Sequence, residues 1–115
     1  MATDPAKLRQ WQGSIDQAIK QRQSGKADYV LLRSEQLVGT SLIIFTKTTI
    51  AKHVRNVEAT TKKTGLKGMA GNKGAVAVRL ELDDSTFCFV TAHFAAGHSN
   101  YEQRNLGEYY IHQKL

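Results

Sequence analysis

Residues 75–94 read AVAVRLELDDSTFCFVTAHF, with an alternating apolar pattern in both arms. A period of two suits a pleated strand, and no helix could gather such a pattern onto one face. Val76, Val78, Leu80 and Leu82 share one side of the first arm, and Phe87, Phe89, Thr91 and His93 share one side of the second. Asp83 and Asp84 between them are turn formers. A β-hairpin is therefore expected over 75–94. Cys88 has the opposite parity to His93 and is expected as a small core residue.

A hairpin needs cover, and the flanking sequence offers it. Residues 4–23 suit an amphipathic helix: Asp4 can cap, Pro5 fits the first helical position, and Leu8, Trp11, Ile15 and Ile19 recur at steps of three and four. Gly13 weakens that helix, and QSGKAD ends it. YVLLRS and LVGTSLIIFTK suit two tightly joined strands, and HVRNVEATTKK a third with a more polar face. Ser99 and Glu102 have capping-box spacing and open a final helix containing Tyr109, Tyr110 and Ile111. These elements suit an α/β arrangement, one mixed or antiparallel sheet with helices over one face. The other face would then lack apolar cover, and no stop signal precedes Leu115, so an excerpt from a longer domain is expected.

Composition narrows the class. With 115 residues, 41% hydrophobic and 23% charged, the chain suits one soluble globular domain and not a disordered segment. The longest apolar run, LIIF at 42–45, cannot cross a bilayer, and no cleavable leader opens the sequence. The single cysteine cannot form an internal disulfide, which suits a reducing, cytoplasmic setting.

Between Lys47 and Lys73 stand seven basic residues against Glu58 alone, so this segment holds the whole net charge of +6 and the rest of the chain balances. Such an excess suits an anion-facing surface, or a strand face kept soluble by lysine. Within it, KKTGLKGMAGNKGAV carries glycine at every third position from Gly65 to Gly74. Collagen is excluded, because the period stops after four glycines and the chain has one proline. Two readings of this loop stand: an anion cradle of permissive backbone and lysines, or a flexible hairpin-like connector. It is not the nucleotide-binding lysine loop, since Lys73 precedes Gly74 and no helix follows. His93, at the carboxyl end of its strand, suits either a donor to a phosphoryl oxygen or a satisfied core histidine. His53, His98 and His112 show no metal spacing, and no nucleophile constellation is present.

The stretches LRSEQLVGTSLIIF, VEATTKKTGLKGMAGNKGAVAVRL, FCFVTAHFAAG and YEQRN together resemble the inositol polyphosphate 5-phosphatase family. Its synaptojanin-like fungal branch is similar even at the opening DPAKLRQW. The resemblance implies a four-layer α/β sandwich of the endonuclease/exonuclease/phosphatase type, of which residues 1–115 would be a central part truncated at both ends. It implies Mg²⁺-dependent removal of the 5-phosphate from lipids such as phosphatidylinositol 4,5-bisphosphate, with the metal ligands outside this chain. His93 matches a histidine that hydrogen-bonds the scissile phosphate. Asn72 and Lys73 match donors to the headgroup, Met69 could touch acyl chain, and Lys67, where glycine is usual, would favour an anionic membrane. Arg104 and Asn105 match a pair expected to support the site. The implied partner is a phosphoinositide at a membrane surface, reached from the cytoplasm without a spanning segment; nucleic acid is not expected. A nuclease of the same sandwich and a purely lipid-docking module are the competing readings.

Overall fold

The computed structural model describes residues 4–22, 28–65 and 70–115. Helix α1 (Pro5–Arg22) is capped as expected, the Asp4 carboxylate accepting from the amides of Ala6 at 3.0 Å and Lys7 at 3.3 Å. Strands β1 (Tyr29–Leu37) and β2 (Thr40–Lys47) pair antiparallel, with Leu37 opposite Thr40. The short helix α2 (Thr48–Ala51) leads into β3 (Val54–Gly65), β4 (Ala70–Leu82) and β5 (Ser85–His93), a second antiparallel sheet in that order. A 3₁₀ turn at His98–Asn100 precedes α3 (Tyr101–Lys114).

The expected single sheet is in fact two, and they face each other. Gly74, Val76, Val78 and Leu80 of β4 lie opposite His93, Thr91, Phe89 and Phe87 of β5, so all eight share one face. That face meets the first sheet, where Leu37 reaches toward Gly74 and Thr40 Oγ1 lies 3.3 Å from Thr91 Oγ1. On the far side of the first sheet, Gln12 of α1 donates to Ser34 of β1. On the far side of the second, Gly107 of α3 packs against Thr64 and Phe94. The order α1, β1–β2, β3–β4–β5, α3 is a four-layer sandwich.

The central strand explains why AVAV reads as it does. Val76 and Val78 are completely buried toward the first sheet, each contributing roughly 1.5–3 kcal/mol of apolar transfer. Ala75 and Ala77 are also buried, on the α3 side, where small side chains let the helix and its buried Ile111 come close.

Several expectations need correction. The second strand starts at Thr40 and not Leu37, because Val38–Gly39 is the turn, with Gly39 at φ 85° as type II turns require at that position. The glycine stretch is not mainly a loop. Lys62 pairs with Ala75, Lys63 with Gly74 and Gly65 with Ala70, so it is the end of a hairpin ladder. Among the described residues β5 borders only β4 in its sheet, and Ser85–Val90 are exposed on both sides: Phe87 and Phe89, which point toward the first sheet, are each 42% exposed, and Cys88 on the outer side is exposed as well. Ser99 does not cap α3: it lies inside the 3₁₀ turn, and Asn100 occupies the N-cap without a side-chain capping bond.

Candidate active site

One end of the sandwich collects the carboxyl ends of β1, β3 and β5 and the amino ends of β2 and β4. His93, the last residue of β5, pairs with Gly74 of β4. Gly74 has φ 147° and is buried, and a β-carbon there would run into the Lys62 carbonyl oxygen and come within 2.8 Å of Leu37 Cδ2. Only glycine lets the two strands and the first sheet approach this closely. That approach brings Lys73, one residue earlier, beside the histidine: Lys73 Nζ lies 2.9 Å from His93 Nε2. An ammonium has only protons to give, so Nε2 accepts in this contact. The other ring nitrogen, Nδ1, is buried and has no hydrogen-bond partner among the described residues.

Lys73 also lines a cleft of about 930 Å³ between the β3–β4 hairpin and α3. Lys62, Lys63 and Asn72 line it on the strand side, and Phe94, Leu106 and Tyr110 on the other. No acidic side chain is among its described lining residues, so an anion entering it meets lysine charge without a competing carboxylate. Lys62 Nζ also lies 5.9 Å from the Tyr110 ring centroid, a cation–π distance. The apolar wall beside the amines suits a ligand with one charged and one greasy end.

Arg104 holds the segment that follows His93. Its Nη1 donates to the Ala95 carbonyl at 3.0 Å and to the Gly97 carbonyl at 2.6 Å, fixing the turn by which the chain leaves the site for α3. Asn100 Nδ2 adds a bond to the Ala96 carbonyl at 2.5 Å. Asn105 is exposed on α3.

The structure thus brings together His93, Lys73, Asn72 and, through the backbone, Arg104. Lys67 and Met69 lie outside the described residues. Among the described residues no three His, Cys, Asp or Glu side chains gather into one cluster, and the Mg²⁺ that the resemblance implies has its expected ligands outside this chain. Sequence reasoning missed Gly39 and the Thr40–Thr91 contact beside His93; the glycine of QLVGT, lying between two strand patterns, was the available signal.

The chain is similar to known proteins along its length. The family model described as Endonuclease/Exonuclease/phosphatase family 2 matches residues 1–115. The chain is 47% identical over 105 residues to inositol-1,4,5-trisphosphate 5-phosphatase 1 of Schizosaccharomyces pombe, covering 91% of this chain and 10% of that protein. It is 48% identical over 87 residues to synaptojanin-1 of Homo sapiens, covering 76% of this chain and 6% of that protein. Among solved structures it superposes with a TM-score of 0.91, at 44% identity, on the inositol polyphosphate 5-phosphatase domain of SPsynaptojanin. That crystal holds inositol (1,4)-bisphosphate and a calcium ion, and the match covers 99% of this chain and 33% of that one. The chain spans a tenth or less of the curated relatives named and a third of the solved domain. From its sequence and its fold alike, the chain belongs to the endonuclease/exonuclease/phosphatase family 2, among the inositol polyphosphate 5-phosphatases.

Proposed function

We propose that the protein carrying this chain removes the 5-phosphate from phosphatidylinositol 4,5-bisphosphate and related inositol phosphates, working from the cytoplasm at an anionic membrane surface. Residues 1–115 would supply one part of its catalytic domain. The observation that carries the reading is the Lys73–His93 contact of 2.9 Å at the mouth of a lysine-lined cleft. The relatives' names, and the inositol bisphosphate in the related crystal, support this substrate class.

The division of work follows from the residue chemistry. Water attacks phosphorus, and negative charge spreads over the phosphoryl oxygens as the ester bond breaks. Lys73 turns its ammonium from Nε2 to a phosphoryl oxygen; the freed Nε2 takes up a proton from solvent and, as an N–H donor, faces the same group, so both stabilise charge that grows in the transition state. Asn72 offers amide donors to the sugar-phosphate headgroup, and Lys62 and Lys63 attract it. Lys67 and Met69 would meet the lipid beside the headgroup. Arg104 keeps the 95–97 turn, and with it the end of β5, in place; Asn105 is assigned to the same support. Mg²⁺, held by groups outside this chain, would supply Lewis-acid chemistry. No helix among the described residues is long and apolar enough to cross a membrane; peripheral membrane contact is part of this reading.

The test is phosphate release from 5-phosphorylated lipid in vesicles by the full-length protein. His93→Ala should lower turnover by roughly 10²-fold or more while leaving the unfolding temperature little changed. Wild-type turnover in that variant would defeat the proposal. Cleavage of duplex DNA without attack on inositol phosphates would point to a nuclease.

A further inference from the structure

Resting on that reading, the structure assigns a second role beside the phosphate: we infer that the β1–β2 turn is a positioning element for His93, closing off Nδ1 so that Nε2 alone meets a ligand. Gly39 lies against the ring. A β-carbon there would sit 3.3 Å from Nδ1, 3.7 Å from Cε1 and 3.7 Å from the Asn72 carbonyl oxygen. The turn therefore passes beside Nδ1, with too little room even for an added β-carbon to sit comfortably, and Nδ1 is buried and unpartnered among the described residues.

The turn is itself held to the histidine's strand. Thr40 Oγ1, next after Gly39, is 3.3 Å from Thr91 Oγ1, two residues before His93 on the same face of β5. The ring is thus gripped between the turn on its Nδ1 edge and Lys73 on its Nε2 edge. Exchanging the two nitrogens would require the turn to lift. A few tenths of an ångström at this position aims Nε2 toward or away from a phosphoryl oxygen, and displacements approaching an ångström can cost a catalyst roughly 10²-fold.

Two variants of the full-length protein separate this role from simple damage to the fold. Gly39→Ala places a β-carbon against the ring and also strains a φ of 85°. Gly39→Asn tolerates positive φ better but keeps the β-carbon. Both should lower kcat for the 5-phosphorylated lipid roughly 10- to 100-fold with KM little changed. In a His93→Ala background neither should cost more than about twofold, because a positioning residue has nothing left to position. Equal losses with and without His93, or unaltered kcat in both single variants, would overturn the inference. Should His93→Ala itself leave the rate unaltered, the phosphatase reading fails by that arm alone.

The second readout needs no activity. In ¹⁵N-histidine-labelled protein, the His93 Nδ1 proton should exchange with water far more slowly than the ring protons of His53 and His112, whose side chains are 50% and 71% exposed. Gly39→Ala and Gly39→Asn should move the His93 ring resonances. Rapid exchange at His93, or unshifted resonances in both variants, would overturn the inference whatever the protein hydrolyses.

Discussion

Gly74→Ala and Gly13→Ala make the same chemical change with opposite expected signs. At Gly74 the new methyl meets the Lys62 carbonyl oxygen of β3, a backbone atom that cannot rotate away, and Leu37 Cδ2 at 2.8 Å. Relief requires β3 and β4 to part locally, weakening one or two ladder bonds at about 1 kcal/mol each. The left-handed φ of 147° becomes strained by about 1–3 kcal/mol once a β-carbon is present. Leu37, now 5% exposed, loses part of its cover. Together these effects place the substitution at about 3–5 kcal/mol, among the rare severe ones. In a domain about three times this length, as the related solved one is, such a loss should lower melting by roughly 3–10 °C. At Gly13 a methyl meets nothing within 4 Å, and the exposed helix interior gains about 0.5–1 kcal/mol from alanine. Thermal and urea unfolding followed by circular dichroism gives both numbers. A Gly74→Ala cost below about 1 kcal/mol, or a destabilised Gly13→Ala, would refute the close-approach reasoning.

Arg104→Met removes two charge-assisted bonds to the 95–97 turn and should destabilise by about 2–3 kcal/mol; both bonds leave the one nitrogen Nη1, so Arg104→Lys should recover part of the loss through its single ammonium, and urea unfolding of the two variants checks this. Asp4→Ala removes the cap of α1 and should cost about 0.5–2 kcal/mol in the same assay. Leu80→Ala empties space on the buried face of β4 and should cost about 2–5 kcal/mol, again read by urea unfolding. Lys62→Gln with Lys63→Gln should weaken flotation with anionic vesicles and flatten its dependence on salt.

Local pattern carried much of the fold. The alternation of 75–94 specified its hairpin and the buried face of β4, because a period-two pattern has one pleated solution. The cap at Asp4 followed from side-chain chemistry alone. What periodicity could not express was pairing at a distance. Nothing in YVLLRS or AVAVRLEL says that their strands belong to different sheets, and the four layers came from family resemblance. The glycines after Lys63 looked like a loop because glycine's freedom is the visible property, whereas Gly74 uses its missing side chain for strand approach. Cys88 was misplaced because parity gives the face but not whether anything covers it. Of the site, His93 and Lys73 were legible as chemistry, 20 residues apart; the register that joins them was not. Gly39 and Thr40 were illegible for the same reason, since their link to His93 runs between sheets.

The central claim is that Lys73 and His93 act on one phosphate, and a double-mutant cycle measures it most directly. In the full-length protein, Lys73→Met and His93→Ala, singly and together, would be assayed for phosphate release from the 5-position of phosphatidylinositol 4,5-bisphosphate. Each single change should slow turnover by roughly 10²-fold, and the pair should be little slower than the worse of the two. Losses that multiply, or a single variant at the wild-type rate, would contradict a shared phosphate.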